Sequence, residues 1–210
     1  MGKLFTVSGI DGSGKSTCSI IIKDVLEAIG EKAVIVDAMK NGIFVNTLKD
    51  NSKYLNYDDL RGDFSPELLN LAWTSDLIYN YETNVRRYLN QGYNVILHRS
   101  ELCCRVYSKL FSSQSDLVDS ALDNYHFDYN MSFFVDTAPE LALKRINERS
   151  CSKRVTEKEN LSNLRLASDL YNEYLASPKY KHIYKIDGSL LIPDIKKELE
   201  IYIESIICVT

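Results

Sequence analysis

Short β-branched runs alternate along the chain with longer stretches whose apolar residues recur every three or four positions. That alternation predicts a parallel sheet covered by helices on both faces. Leu4 to Ser8 is a short apolar run ending at glycine and reads as a buried first strand. Ser16 to Ile29 places Ile20, Ile21, Ile22, Val25, Leu26 and Ile29 at helical recurrence and stops at Gly30. Ala33 to Val36 is the second strand, ending at Asp37. Ser65-Pro66-Glu67 opens a long helix that runs to about Asn90, with serine as N-cap and proline at the first helical position. Val95-Ile96-Leu97 and Ser132 to Asp136 read as the third and fourth strands. Thr137-Ala138-Pro139-Glu140 is a helix opening of the same kind as Ser65-Pro66-Glu67. A helix from about Leu161 to Ala176, a strand around Ile183 to Ile186 and a helix carrying Ile192, Ile195, Leu199, Ile203 and Ile206 close the chain.

Met39 to Gly62 is weakly patterned and polar. In an α/β enzyme such a stretch often holds the acceptor side of a pocket, and a plain surface excursion fits it equally well. Repeats, low-complexity tracts and linkers are lacking, so residues 1–210 read as one domain. The net charge of −4 is spread along the chain, with no basic block to make a nucleic-acid face, and no apolar stretch reaches membrane-spanning length. The five cysteines are odd in number and lack metal-like spacing, as expected for reduced thiols in a cytoplasmic protein.

The chemistry is concentrated in Gly9-Ile10-Asp11-Gly12-Ser13-Gly14-Lys15-Ser16-Thr17. Gly9 to Ser16 satisfies G-x-x-x-x-G-K-[ST], with an apolar strand before it and an amphipathic helix after it. Glycines let the backbone curl so that N–H groups meet phosphate oxygens, and the helix start adds unpaired N–H groups and the positive end of its dipole. Lys15 supplies a charge for the β- and γ-phosphates of a nucleoside triphosphate, the Ser16 hydroxyl is placed to ligate Mg²⁺, and Thr17 reaches toward the α-phosphate. Asp11, a carboxylate beside the phosphate cradle, calls for a cation or a sugar hydroxyl; a solvated loop-tip acid is the alternative. Arg145 and Arg149 share a helix face, Arg154 follows in a polar stretch, and such arginines neutralise a transferring phosphoryl group unless they are simply a solvated face. Arg99 leaves a buried strand on the side where open α/β sheets bind ligands, as a phosphate clamp or a structural ion pair.

The loop from Gly9 to Thr17 resembles the P-loop of thymidylate kinases, and the similarity extends along nearly the whole chain. Trp73-Thr74-Ser75-Asp76-Leu77 falls on the family's Phe-Ala-Ala-Asp-Arg stretch, and His98-Arg99-Ser100 on its Asp-Arg-Tyr motif. Cys103, Cys104 and Tyr107 fall on the polar residues that follow that motif. Phe134-Val135-Asp136 and the run from Pro139 to Arg149 resemble the fourth strand and the helix leading to the lid. Ile186-Asp187-Gly188 is similar to the strand and loop near the adenine. The resemblance implies a three-layer P-loop nucleotide kinase fold with a five-stranded parallel sheet, a lid at about residues 149–159, and ATP with Mg²⁺ as cofactors. It places Lys15, Arg99, Arg149 and Arg154 at the transferring group, Arg145 with the P-loop on the donor side, and Asp11, Lys40, Trp73, Asp76, His98, Arg99 and Tyr107 on the acceptor side. The family is commonly homodimeric, and apolar positions on the helix from Ser65 permit such a pairing without showing it.

The departures cluster at the acceptor. Asp37 to Gly42 stands where the family has Arg-Glu-Pro-Gly, with Lys40 as the only replacement charge. Leu77 replaces the arginine that holds the base, Trp73 is either a stacking ring or core, and the acid before Arg99 has become His98. Phosphorylating an anionic phosphate needs no strong base, whereas a hydroxyl acceptor calls for one, which neutral His98 could supply if it does not merely end the strand. Transfer from ATP to a nucleoside monophosphate, with dTMP as default, is therefore expected. A kinase of a nucleoside or other hydroxyl, and a nucleotide-binding regulator that has lost catalysis, are the alternatives.

Overall fold

Five strands form one parallel sheet in the order β2-β3-β1-β4-β5: β1 (Leu4–Ser8), β2 (Ala33–Asp37), β3 (Asn94–His98), β4 (Met131–Asp136) and β5 (Ile183–Asp187). The structure is a computed structural model in which residues 1–39, 42–54, 60–112, 116–149 and 159–207 are described. Because side chains alternate along a strand, each strand feeds both faces. Phe5, Val7, Ile96, Phe133 and Val135 enter one core with α1 (Lys15–Ala28) and α10 (Ile192–Ile207). Leu4, Val95 and Leu97 point the other way, beneath α4 (Pro66–Asn80), a π-turn (Tyr81–Val85) and α5 (Arg86–Asn90). Phe134 packs with a third cluster built from α6 (Glu101–Phe111), α8 (Pro139–Arg149) and α9 (Leu161–Ala176). The parallel sheet and both helical layers agree with the sequence reading.

Three features differ from it. The polar stretch after β2 contains α2 (Ile43–Tyr54), followed by the short α3 (Leu60–Asp63). α2 buries Val45 and Ser52 but leaves Ile43 and Phe44 about half exposed, so its sequence carries no clean apolar face. Between β3 and β4 the chain forms α6 and α7 (Asp116–Asp123), where the reading had assigned nothing. Finally, the two serine- or threonine-led helix openings do different work. Ser65 caps α4 by accepting from the Leu68 amide at 3.2 Å, whereas the Thr137 hydroxyl donates to the Ser13 carbonyl at 2.9 Å.

α2 is fixed to α4 by Asp76. This side chain is fully buried and accepts from the Phe44 amide at 2.9 Å and the Val45 amide at 3.0 Å, satisfying first-turn N–H groups of α2. Gly42 is required by the same contact, since a Cβ there would lie 2.1 Å from an Asp76 carboxylate oxygen. Asp76→Ala leaves those amides unpaired and is expected to lower unfolding free energy by about 1–3 kcal/mol in urea denaturation. Gly42→Ala displaces the same carboxylate, so the double variant should be less destabilised than the sum of the two single variants.

Candidate active site

β1 lies at the centre of the sheet and delivers the chain at its carboxyl end into the glycine loop, where open α/β sheets bind ligands. Gly12 and Gly14 adopt φ of 82° and 107°, which other residues avoid. A Cβ on Gly12 would also lie 2.4 Å from the Ala142 carbonyl. Lys15 is buried, with its ammonium donating to the carbonyls of Gly9 at 3.0 Å and Ile10 at 2.8 Å and lying 3.8 Å from Asp11 Oδ1.

The loop is gripped from outside by other elements. Tyr171 on α9 donates to the Gly9 carbonyl at 3.1 Å, and Arg145 on α8 bridges the carbonyls of Ser13 at 3.2 Å and Gly188 at 2.8 Å. Gly14 is the N-cap of α1 and no side chain caps that end, which leaves first-turn N–H groups for an anion. Two buried polar atoms lack a partner beside this cradle, Ser13 Oγ and Arg99 Nε. An ammonium, a helix start and an unpartnered guanidinium nitrogen fit a polyphosphate chain.

Arg99 follows β3 and is the one non-glycine among the described residues with positive φ, at 74°. Its amide donates to the Val7 carbonyl at 3.1 Å, which ties the strained backbone to β1. Its guanidinium lies 3.8 Å from Asp11. Burial works against the Arg99 charge, yet the Asp11 carboxylate, with Cys103, Asp37 and Tyr107 adding to it, outweighs that effect and holds its pKa above the ordinary arginine value. A cavity opens between these groups and the second helical layer. Gly9, Asp11, Lys15 and Arg99 form its charged end. Leu69, Asn70, Trp73, Cys103, Tyr107 and Phe111 are among the residues that line the rest. Burial pushes the Tyr107 hydroxyl well above its usual pKa, and that oxygen accepts from the Asp11 amide at 3.2 Å.

His98 sits elsewhere. It does not line this cavity; its Nε2 lies 3.3 Å from the exposed Ser16 hydroxyl and its Nδ1 lies 3.5 Å from Asp37 Oδ2. Burial alone would raise the Asp37 carboxyl, but hydrogen bonds to His98 and the Met39 amide, with the charge of Arg99, hold it below the usual aspartate value.

Of the residues expected around the acceptor, the cavity therefore gathers Asp11, Trp73, Arg99 and Tyr107. Asp76 is fully buried away from the cavity lining, and its two oxygens receive the α2 amides. Leu77 is wholly buried with Leu4 and Val36. Arg145 braces the loop through two carbonyls, and Arg149 ends α8 exposed. Lys40, Arg154 and most of the expected lid lie outside the described residues. The sequence reading had not named Asp37, Asn70, Phe111 or Tyr171 as site residues, and had given Thr137 only a helix opening. The position of Asp37 at the carboxyl end of a strand was the available signal; for the others the helix packing decides.

A five-stranded parallel sheet with a lysine-bearing glycine loop and an arginine beside it defines a P-loop nucleotide kinase. A family profile described as thymidylate kinase matches residues 7–199. The chain is 26% identical over 212 residues to a thymidylate kinase of Legionella pneumophila, covering 98% of this chain and 96% of that one. It is 28% identical over 207 residues to the thymidylate kinase of Buchnera aphidicola, covering 93% and 91%. To the thymidylate kinase of Leptospira interrogans it is 27% identical over 202 residues, covering 94% and 92%. The chain belongs to the thymidylate kinase family and is an ATP-dependent nucleotide kinase.

Lys15→Met should lower turnover by about 10²–10³-fold in a coupled ADP-release assay while circular dichroism stays native, the loss typical of one preorganised charge donor. Arg99→Gly removes a charge and a strained φ together. Turnover should fall by a factor of at least about 10², with the urea midpoint unchanged or raised.

Proposed function

We propose that this kinase transfers the ATP γ-phosphoryl group to a nucleoside monophosphate, with dTMP as its first acceptor and a looser preference for the base than a charged contact would give. The cavity carries this reading. Among the described residues its charged groups all stand at the P-loop end, and the remainder is lined by apolar and aromatic side chains with Asn70 as the amide. An acceptor with a dianionic head and a flat, uncharged ring matches that division.

In this account Lys15 and Arg99 hold the phosphoryl oxygens from two sides, and Trp73 offers a ring face to the base. Asp11 restrains both cations, at 3.8 Å from each, so their charges stay fixed as the phosphates enter. Ser16 would hold Mg²⁺, which would supply positive charge to neutralise the negative charge developing on the phosphates. Arg149 and Arg154 would approach from the lid side. The acceptor oxygen is already anionic, so no side chain has to take a proton, which suits a cavity whose lining includes no histidine. The missing base arginine supports weak discrimination: Leu77 faces the core, leaving stacking and neutral hydrogen bonds as the means of selection.

The test is ADP release over a panel of nucleoside monophosphates and nucleosides. The account predicts turnover with dTMP and with at least one other pyrimidine monophosphate, and a rise in acceptor KM for Trp73→Ala. Turnover only with hydroxyl acceptors would overturn it.

A further inference from the structure

The substitution of a histidine for the usual acid at the end of β3 leaves a nitrogen donor beside the P-loop hydroxyl. We infer that His98 Nε2 is a direct ligand of the nucleotide-bound metal together with Ser16 Oγ, oriented by Asp37, and that the site therefore favours Mn²⁺ or Co²⁺ over Mg²⁺ more than an all-oxygen P-loop site does.

Three observations carry this. First, Nε2 and Ser16 Oγ are 3.3 Å apart. Neighbouring ligands of an octahedral ion with bonds of about 2.1 Å stand roughly 3 Å from each other, so both atoms reach one ion with a shift of a few tenths of an ångström. Second, the ring is held from behind. Asp37 Oδ1 accepts from the Met39 amide at 3.0 Å, which fixes the carboxylate, and Oδ2 faces His98 Nδ1 at 3.5 Å. Asp37 and His98 are also register partners in adjacent strands, so the sheet sets their spacing. A carboxylate on Nδ1 favours the tautomer with its proton there and leaves the Nε2 lone pair toward Ser16, the arrangement that orients metal-bound histidines. Third, the His98 ring is not in the acceptor cavity, which argues for the metal and against proton abstraction from an acceptor.

The chemistry of the donor set gives the selectivity. Mg²⁺ prefers oxygen and dehydrates reluctantly, whereas Mn²⁺ and Co²⁺ accept imidazole more readily. The described residues hold no cluster of three or more His, Cys, Asp or Glu side chains, so the protein supplies few ligands and nucleotide phosphates with water complete the shell. This inference rests on the reading of the loop as a triphosphate site, and the experiment separates the two.

The experiment is pulsed EPR of Mn²⁺ with a non-hydrolysable ATP analogue on the full chain, using unlabelled protein and uniformly ¹⁵N-labelled protein with the same unlabelled nucleotide. The expected result is a nitrogen coupling of directly coordinated strength that changes from the ¹⁴N to the ¹⁵N pattern with the protein label, which excludes the adenine as its source. His98→Ala should abolish the coupling while a fluorescent ATP analogue still binds, and should reduce the Mn²⁺ over Mg²⁺ preference for the nucleotide complex by about 10-fold or more. Asp37→Asn should keep the coupling but weaken Mn²⁺ affinity about 10- to 100-fold, the range for loss of a group that orients a metal ligand. Bound Mn²⁺ and nucleotide without protein nitrogen coupling overturns the His98 assignment alone. Failure of the nucleotide to bind at all overturns the triphosphate reading, and this inference with it.

Discussion

The structure depends on holding a lysine ammonium inside a loop of its own backbone. Lys15 donates to the carbonyls of Gly9 and Ile10, so a buried cation is satisfied by dipoles even without a ligand. That arrangement requires the loop to stay curled. The glycines permit the curl, and Tyr171, Thr137 and Arg145 secure its Gly9 and Ser13 carbonyls from three separate elements. The fold's two helical layers and the sheet thus converge on a few carbonyl groups. Disturbance of α8, α9 or the end of β4 is felt at the phosphate cradle, although none of these elements contains the loop.

Charge is distributed unevenly around the cavity, with Asp11, Lys15 and Arg99 gathered at its P-loop end. At the P-loop end Asp11 is shared between Lys15 and Arg99, and the Arg99 backbone is held in a strained conformation by its bond to β1. Toward the other end the lining is apolar, aromatic and thiol-bearing. Burial also raises the Cys104 thiol far above its usual pKa, so it acts there as a small apolar side chain.

The sheet and the glycine loop were legible in the sequence because each depends on local signals. Strand runs, a cap at Ser65 and the spacing from Gly9 to Ser16 are properties of neighbouring residues. The helices α2 and α6 were not legible for different reasons. α2 exposes Ile43 and Phe44 and is held by Asp76, a residue more than thirty positions away, so its stability is tertiary. α6 buries Glu101 and Arg105 along with its apolar residues, which blurs the face a helix normally shows. The Arg105 guanidinium donates to Asp119 at 2.8 Å and Asp123 at 2.7 Å on α7, partners that no local pattern reveals. The pairing of Asp37 with His98 is likewise a product of strand order, since β2 and β3 adjoin only because the chain crosses over α4 and α5.

The central claim is that a triphosphate chain lies against the loop and the first turn of α1. Two-dimensional amide NMR of ¹⁵N-labelled protein titrated with ATP tests it most directly. The account predicts that the largest shifts fall on the amides from Gly12 to Thr17, saturating together with nucleotide binding. Saturable ATP binding that leaves those amides unmoved and shifts a different set would contradict it.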